Sequence, residues 1–88
     1  MRKKYTTEEY KKIKDLVECA LASPNKAEAK KYSAQLKYIG TDVTGYSRTV
    51  YSELVAAVIS ASGAVRDKEL FSRNANDCLI KFEMFCVE

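Results

Sequence analysis

Residues 67–88, DKELFSRNANDCLIKFEMFCVE, support two incompatible readings, and the choice between them decides the fold. Phe71, Ala75, Cys78, Phe82 and Phe85 recur at steps of four, three, four and three, the seam of a helix that packs on another helix. Ile80, Phe82, Met84 and Cys86 alternate instead with Lys81 and Glu83, as on a half-buried strand. A strand needs a partner, and no second strand candidate stands out elsewhere in the chain. The helix is therefore the expected form, starting near Asp67, and the fold is expected to be all-α.

The other segments agree with that reading. Thr6-Thr7-Glu8-Glu9 fits a capping box, after which Tyr10, Ile13, Val17, Ala20 and Leu21 recur at helical spacing and Leu16 widens the stripe. This helix is expected to end near Ser23-Pro24. A second begins at Pro24, as a first helical residue, or at Asn25 with Glu28 as an alternative capping box. Its apolar stripe is narrow (Ala29, Tyr32, Leu36, Ile39), and Gly40 supplies a left-handed stop. A turn follows, with a new N-cap expected at Thr44 or Ser47. The third helix, SRTVYSELVAAVISAS at 47–62, is apolar on more than one face and belongs at the centre of a bundle or at a subunit interface. The expected architecture is one domain over residues 1–88, a small bundle of antiparallel helical hairpins with three to four helices. At 88 residues a monomer is marginally stable, so a homo-oligomer is expected.

Composition removes much of enzyme space. The chain has no His, hence no Ser-His-Asp or Cys-His nucleophile and no imidazole base near neutral pH. Gly40, Gly45 and Gly63 are scattered and form no phosphate-cradling loop. The three cysteines, Cys19, Cys78 and Cys86, show no CxxC spacing and read as buried free thiols, with no metal site and no cofactor implied. The longest uncharged apolar run, LVAAVISASGAV, is too short to span a bilayer. The expectation is a non-catalytic, cytoplasmic protein.

Charge is the informative feature. Residues 1–14, MRKKYTTEEYKKIK, hold six Lys or Arg against two Glu, a net +4, although the whole chain is only +3. Residues 1–38 carry ten basic against five acidic side chains and residues 39–88 five against seven, so +5 faces −2. That asymmetry points to an anionic partner near the N-terminal half or to docking between subunits. Lys and Arg offer charge-assisted bonds to phosphate, and the six Tyr offer stacking faces for bases. Tyr32 and Tyr51 lie on apolar stripes and read as core, Tyr5 fits a hydrophobic staple, and Tyr38 and Tyr46 flank the turn and are the freest. Arg48 is a solitary cation at the start of the most apolar helix, where it opposes the helix dipole. That conflict marks it as the residue that meets an anion, either a ligand phosphate or a carboxylate of another subunit. A general DNA or RNA binder is disfavoured, because the net charge is modest and no helix carries a dense basic face.

YSRTVYSELVAAVIS at 46–60, preceded by a Lys- and Tyr-rich helix with TTEEYKKIK at 6–14, resembles the phage anti-CBASS protein 2 family. The resemblance implies a small all-helical oligomer, up to a hexamer, in the host-cell cytoplasm. Such a protein is a sponge that sequesters cyclic dinucleotide second messengers such as 3′,3′-cGAMP, and cyclic trinucleotides in a second pocket. Carried over, it implies that Arg48 and Thr49 line that second, trinucleotide pocket, that Tyr10 or Tyr5 stacks on a base, and that Lys26 or Lys14 contacts phosphate. The competing expectation is an inhibitor or adaptor that docks on a host protein through its basic N-terminal half.

Overall fold

Thr6 starts the first helix as a capping box requires. Its hydroxyl accepts from the Glu9 amide at 3.1 Å, and the Glu9 carboxylate accepts from the Thr6 amide at 2.9 Å. The computed structural model describes residues 2–64 and 66–88. Among them are four α-helices: α1 (Thr7–Ala22), α2 (Lys26–Leu36), α3 (Tyr46–Gly63) and α4 (Lys68–Cys86). The all-α expectation holds, and no helix among the described residues is long and apolar enough to cross a membrane. Each helix packs chiefly on its neighbour in sequence, α3 and α4 most extensively, in a body of 38 × 21 × 17 Å.

The local signals resolve as follows. Ile13, Leu16, Val17 and Ala20 form the buried stripe of α1. Of the two openings for α2, the asparagine one is realised. Asn25 Oδ1 accepts from the Glu28 amide at 2.9 Å, which leaves Pro24 outside the helix. The cap of α3 falls on neither Thr44 nor Ser47. Gly45 takes the position with φ +77°, and Ser47 lies inside the first turn, where its hydroxyl donates to the Lys3 carbonyl at 2.5 Å. A chain segment lying across that turn competes for the side chain and wins.

That segment is the N-terminal arm, residues 2–5. Arg2 pairs with Val43 and Tyr5 with Val87, each as a single β-bridge. The Thr44 amide donates to the Arg2 carbonyl at 2.9 Å, the Tyr5 amide to the Cys86 carbonyl at 2.8 Å, and the Glu88 amide to the Tyr5 carbonyl at 3.0 Å. The arm thus stitches the α2–α3 connection to the end of α4. It is also the partner that the alternating pattern near the C-terminus lacked, although only Val87 uses it.

Three expectations about packing are corrected. In α4 the inward stripe is Ala75, Leu79, Phe82 and Cys86, while Phe71 and Phe85 are exposed. Ala75 and Phe82 stay on the buried stripe, Phe82 against Tyr5 and Tyr51, and Leu79 and Cys86 complete it in place of Phe71 and Phe85. Tyr5 is more than a staple. It is 0% exposed, with ring centroids 4.9 Å from both Tyr51 and Phe82, and it lies at the centre of the core. Nor are the thiols all buried: Cys86 is, Cys78 is half-buried and Cys19 is exposed.

Candidate functional site

α2 carries a stripe separate from its apolar one. Lys26, Lys30, Ser33 and Lys37 follow at steps of four, three and four, so they share one side of the helix over about 16 Å of rise. That side faces the flank of α3 that presents Arg48, Ser52, Val55, Ala56, Ile59 and Ser62. Two adjoining depressions result, meeting at Ile59. The larger, about 230 Å³, is lined by Lys37, Arg48, Tyr51, Ser52, Val55, Ala56 and Ile59. The smaller, about 90 Å³, lies between Lys26, Lys30 and Ser33 on one helix and Ile59, Ser62 and Gly63 on the other. Among the described residues four cations line this groove and no carboxylate does.

Arg48 is its centre. The guanidinium is half-buried and has no ion-pair partner among the described residues. Its Nη1 donates to the Gly40 carbonyl at 3.4 Å and to the Tyr5 hydroxyl at 3.5 Å, both long and weak. Its carbon lies 5.8 Å from the centroid of the Tyr51 ring. Neutral oxygens and a π face hold the group in place without cancelling its charge, at a helix start whose dipole adds positive potential. Such a site attracts an anion.

Arg2 is the opposite case. It forms two bonds to Glu9 (2.6 and 2.9 Å) and two to Asp42 (2.7 and 2.9 Å), so its charge is spent inside the chain. The guanidinium holds the Asp42 carboxyl down at about 2 and lowers that of Glu9 as well. Part of the basic excess of residues 1–14 is thereby structural.

The residues singled out from sequence do not form one site. Arg48 and Tyr5 meet, but Tyr5 is buried and offers no face to a ligand. Thr49 is exposed on a different side of α3, with its hydroxyl donating to the Gly45 carbonyl at 3.4 Å. Lys26 stands at the far end of the groove from Arg48. Tyr10 and Lys14 are together elsewhere, in a depression of about 480 Å³ that they share with Thr7, Lys11, Val87, Glu83 and Glu88. There the Tyr10 hydroxyl donates to Glu83 at 2.9 Å, and burial followed by that carboxylate pushes the phenol up to about 12. Two carboxylates make that depression a poor place for phosphate. Tyr38 and Tyr46 are the exposed tyrosines, as expected. Lys37 and Lys30 are the additions: their shared spacing with Lys26 was readable, but which way the stripe faces depends on the packing of α3.

No family model, no curated protein and no solved structure matches this chain.

Proposed function

We propose that this protein is a non-catalytic binder that sequesters a small phosphorylated ligand in the α2–α3 groove, with Arg48 and Lys37 on the phosphate. The observation that carries the proposal is the half-buried Arg48 guanidinium, which lacks a carboxylate and lies beside a second cation. The choice of ligand comes from the resemblance of residues 6–14 and 46–60: a cyclic dinucleotide such as 3′,3′-cGAMP or, because the resemblance gives Arg48 to the second pocket, a cyclic trinucleotide, withheld from host antiviral signalling. At about 230 Å³ the depression falls below the roughly 300–1,000 Å³ of sites that enclose a whole small molecule. It suits one phosphate and its ribose. The second half of a cyclic dinucleotide then reaches an equivalent groove on another copy, and affinity depends on assembly.

Calorimetric titration with 3′,3′-cGAMP and a panel of cyclic di- and trinucleotides tests this. A charge-assisted hydrogen bond contributes about 1.5–3 kcal/mol, so Arg48→Ala is expected to weaken binding about 10- to 100-fold. Lys37→Ala, at an exposed position, is expected to weaken it less and to leave the fold intact. Absence of heat across the panel, or equal affinity of both variants and wild type, refutes the reading.

One observation favours a second reading. The groove floor is aliphatic, with Val55, Ala56 and Ile59, and Tyr51 is buried, so the floor offers no stacking ring. A cationic rim over an aliphatic floor also suits an acidic protein segment with apolar anchors, as in an inhibitor or adaptor. Nucleotide-independent binding of a host protein that weakens with salt and with Arg48→Ala would select it.

A further inference from the structure

Among the described residues, five of the eight exposed large apolar side chains lie on α4: Leu70, Phe71, Ile80, Met84 and Phe85. Three of them fall in register. Leu70, Arg73, Asp77, Ile80 and Met84 recur at steps of three, four, three and four, on the side of the helix opposite the buried Ala75, Leu79, Phe82 and Cys86. Leu70, Ile80 and Met84 are 61, 54 and 68% exposed. This is a second heptad seam with two charges at its middle, and a large apolar stripe on a free helix face marks an association surface.

We infer that a second copy of this chain covers the face, α4 against α4, antiparallel, about a two-fold axis level with residue 75. The charges choose the occupant and the direction. In that register Leu70 meets Ile80 of the second copy, and Arg73 meets Asp77 of the second copy. The two-fold repeats both pairs, so the two central layers are opposite charges and the two outer layers are apolar. A parallel arrangement sets Arg73 against Arg73 and Asp77 against Asp77. Sliding the antiparallel pair one heptad toward the C-terminus puts Asp77 on Ile80 and Arg73 on Met84; one heptad the other way puts Leu70 on Arg73. Of these registers only the first pairs Leu70 with Ile80 and Arg73 with Asp77; Met84 then lies beyond the start of the second copy's α4, level with its Arg66.

The charged groups are free to make these contacts. Arg73 has only a long ion pair to Glu69, 3.8 Å, with both groups exposed, and Asp77 has no ion-pair partner among the described residues. At the flanks Asp67 comes opposite Lys81 of the second copy, while Glu69 comes opposite Glu83. Those contributions oppose one another, which leaves the Arg73–Asp77 pairs to set specificity. The proposal is independent of the α2–α3 groove.

Charge reversal tests it on the full chain, by sedimentation equilibrium over a concentration series. The wild-type chain is expected to dimerise reversibly. Arg73→Asp places carboxylate on carboxylate twice, and Asp77→Arg places guanidinium on guanidinium twice, so each variant alone is expected to dimerise at least about 10-fold more weakly. Mixed in equal amounts, the two variants restore both pairs, and a heterodimer of near wild-type strength is expected. Ile80→Lys provides an independent disruption of the outer layers, and circular dichroism of all variants verifies that α4 remains helical. A wild-type chain that stays monomeric throughout, single reversals that dimerise as well as wild type, or a mixture that fails to form heterodimer each overturns the inference.

Discussion

Replacing Tyr5 tests whether the N-terminal arm is part of the core or the wall of a ligand site. The side chain is fully buried, in aromatic contact with Tyr51 and Phe82, and among the described residues its only hydrogen bond from a side chain is the 3.5 Å contact from Arg48. Tyr5→Ala removes a whole ring from the middle of a four-helix core and detaches the arm's anchor. Truncations of buried aromatic residues cost about 3–5 kcal/mol. For 88 residues the total stability is on the order of 4–13 kcal/mol, so the loss is a large fraction of it. At about 4–8 °C per kcal/mol for a domain of this size, the midpoint of thermal unfolding is expected to fall by at least about 12 °C. Tyr5→Phe keeps the ring and deletes only a weak bond, so it should cost less than about 1 kcal/mol. Urea and thermal unfolding followed by circular dichroism measure both. A stacking residue behaves in the opposite way: Tyr5→Ala would abolish ligand binding while leaving stability almost unchanged. A loss below about 1 kcal/mol for Tyr5→Ala refutes the core role assigned to the arm.

The same core makes Gly40 sensitive. It has φ +64°, and a Cβ there would run into the Tyr5 ring, which the core holds fixed. Gly40→Ala adds about 1–2 kcal/mol for the left-handed backbone to about 1–3 kcal/mol for overpacking, whereas Gly45→Ala, with open space around it, meets only the cost of a φ +77°, ψ −147° backbone that suits glycine, about 1–3 kcal/mol. Denaturant titration should therefore rank Gly40→Ala as the worse of the two, and the reverse order refutes the contact. Acid is expected to loosen the arm. Asp42, held at about 2, and Glu9, also lowered, have depressed values in the folded chain, so their contribution is complete above the unfolded carboxylate range near 4. It is lost as pH falls from about 4 toward 2. Asp42→Asn should flatten that part of the stability profile, measured by thermal melts at stepped pH. An unchanged profile counts against the Arg2 latch.

What was legible in the sequence was what neighbours within a few residues determine. The capping box at Thr6, the stripe of α1 and the stop near Ser23 depend on contacts spanning four residues, and the structure keeps them. The phase of α4 does not. Two apolar stripes share Ala75 and Phe82 on that helix; Leu79 and Cys86 complete the buried one in place of Phe71 and Phe85, beside α3 and the arm, whose Tyr5 amide reaches the Cys86 carbonyl from 81 positions earlier. The site divides in the same way. Arg48 was recognisable because a cation at a helix start conflicts with the dipole, a local contradiction. Lys37 joins it only because α2 lies along α3, and Tyr5 leaves the list of possible stacking residues only because the arm folds inward.

The two surfaces proposed for this chain lie on different sides of α3, and symmetry determines what they can build together. The groove is bounded by α2 and by the flank of α3 that carries Arg48, Val55 and Ile59. α4 packs beside the flank that carries Glu53, which reaches Lys81 at 3.8 Å, and its free seam faces away from the core. An α4 dimer therefore keeps its two grooves apart and leaves both open, so dimerisation alone cannot complete a site for one cyclic dinucleotide. A ligand that bridges two grooves must join different dimers. Each bridge is itself close to a two-fold contact, because the sugar-phosphate ring of a 3′,3′-cyclic dinucleotide presents the same phosphate and ribose on both sides even where its two bases differ. Two kinds of two-fold contact in one assembly close into a tetramer when their axes intersect and extend into longer assemblies when they do not. Ligand-driven growth of dimers into larger species is thus the signature of a bridged ligand, whereas saturation at one ligand per groove with no change in mass means that each groove acts alone.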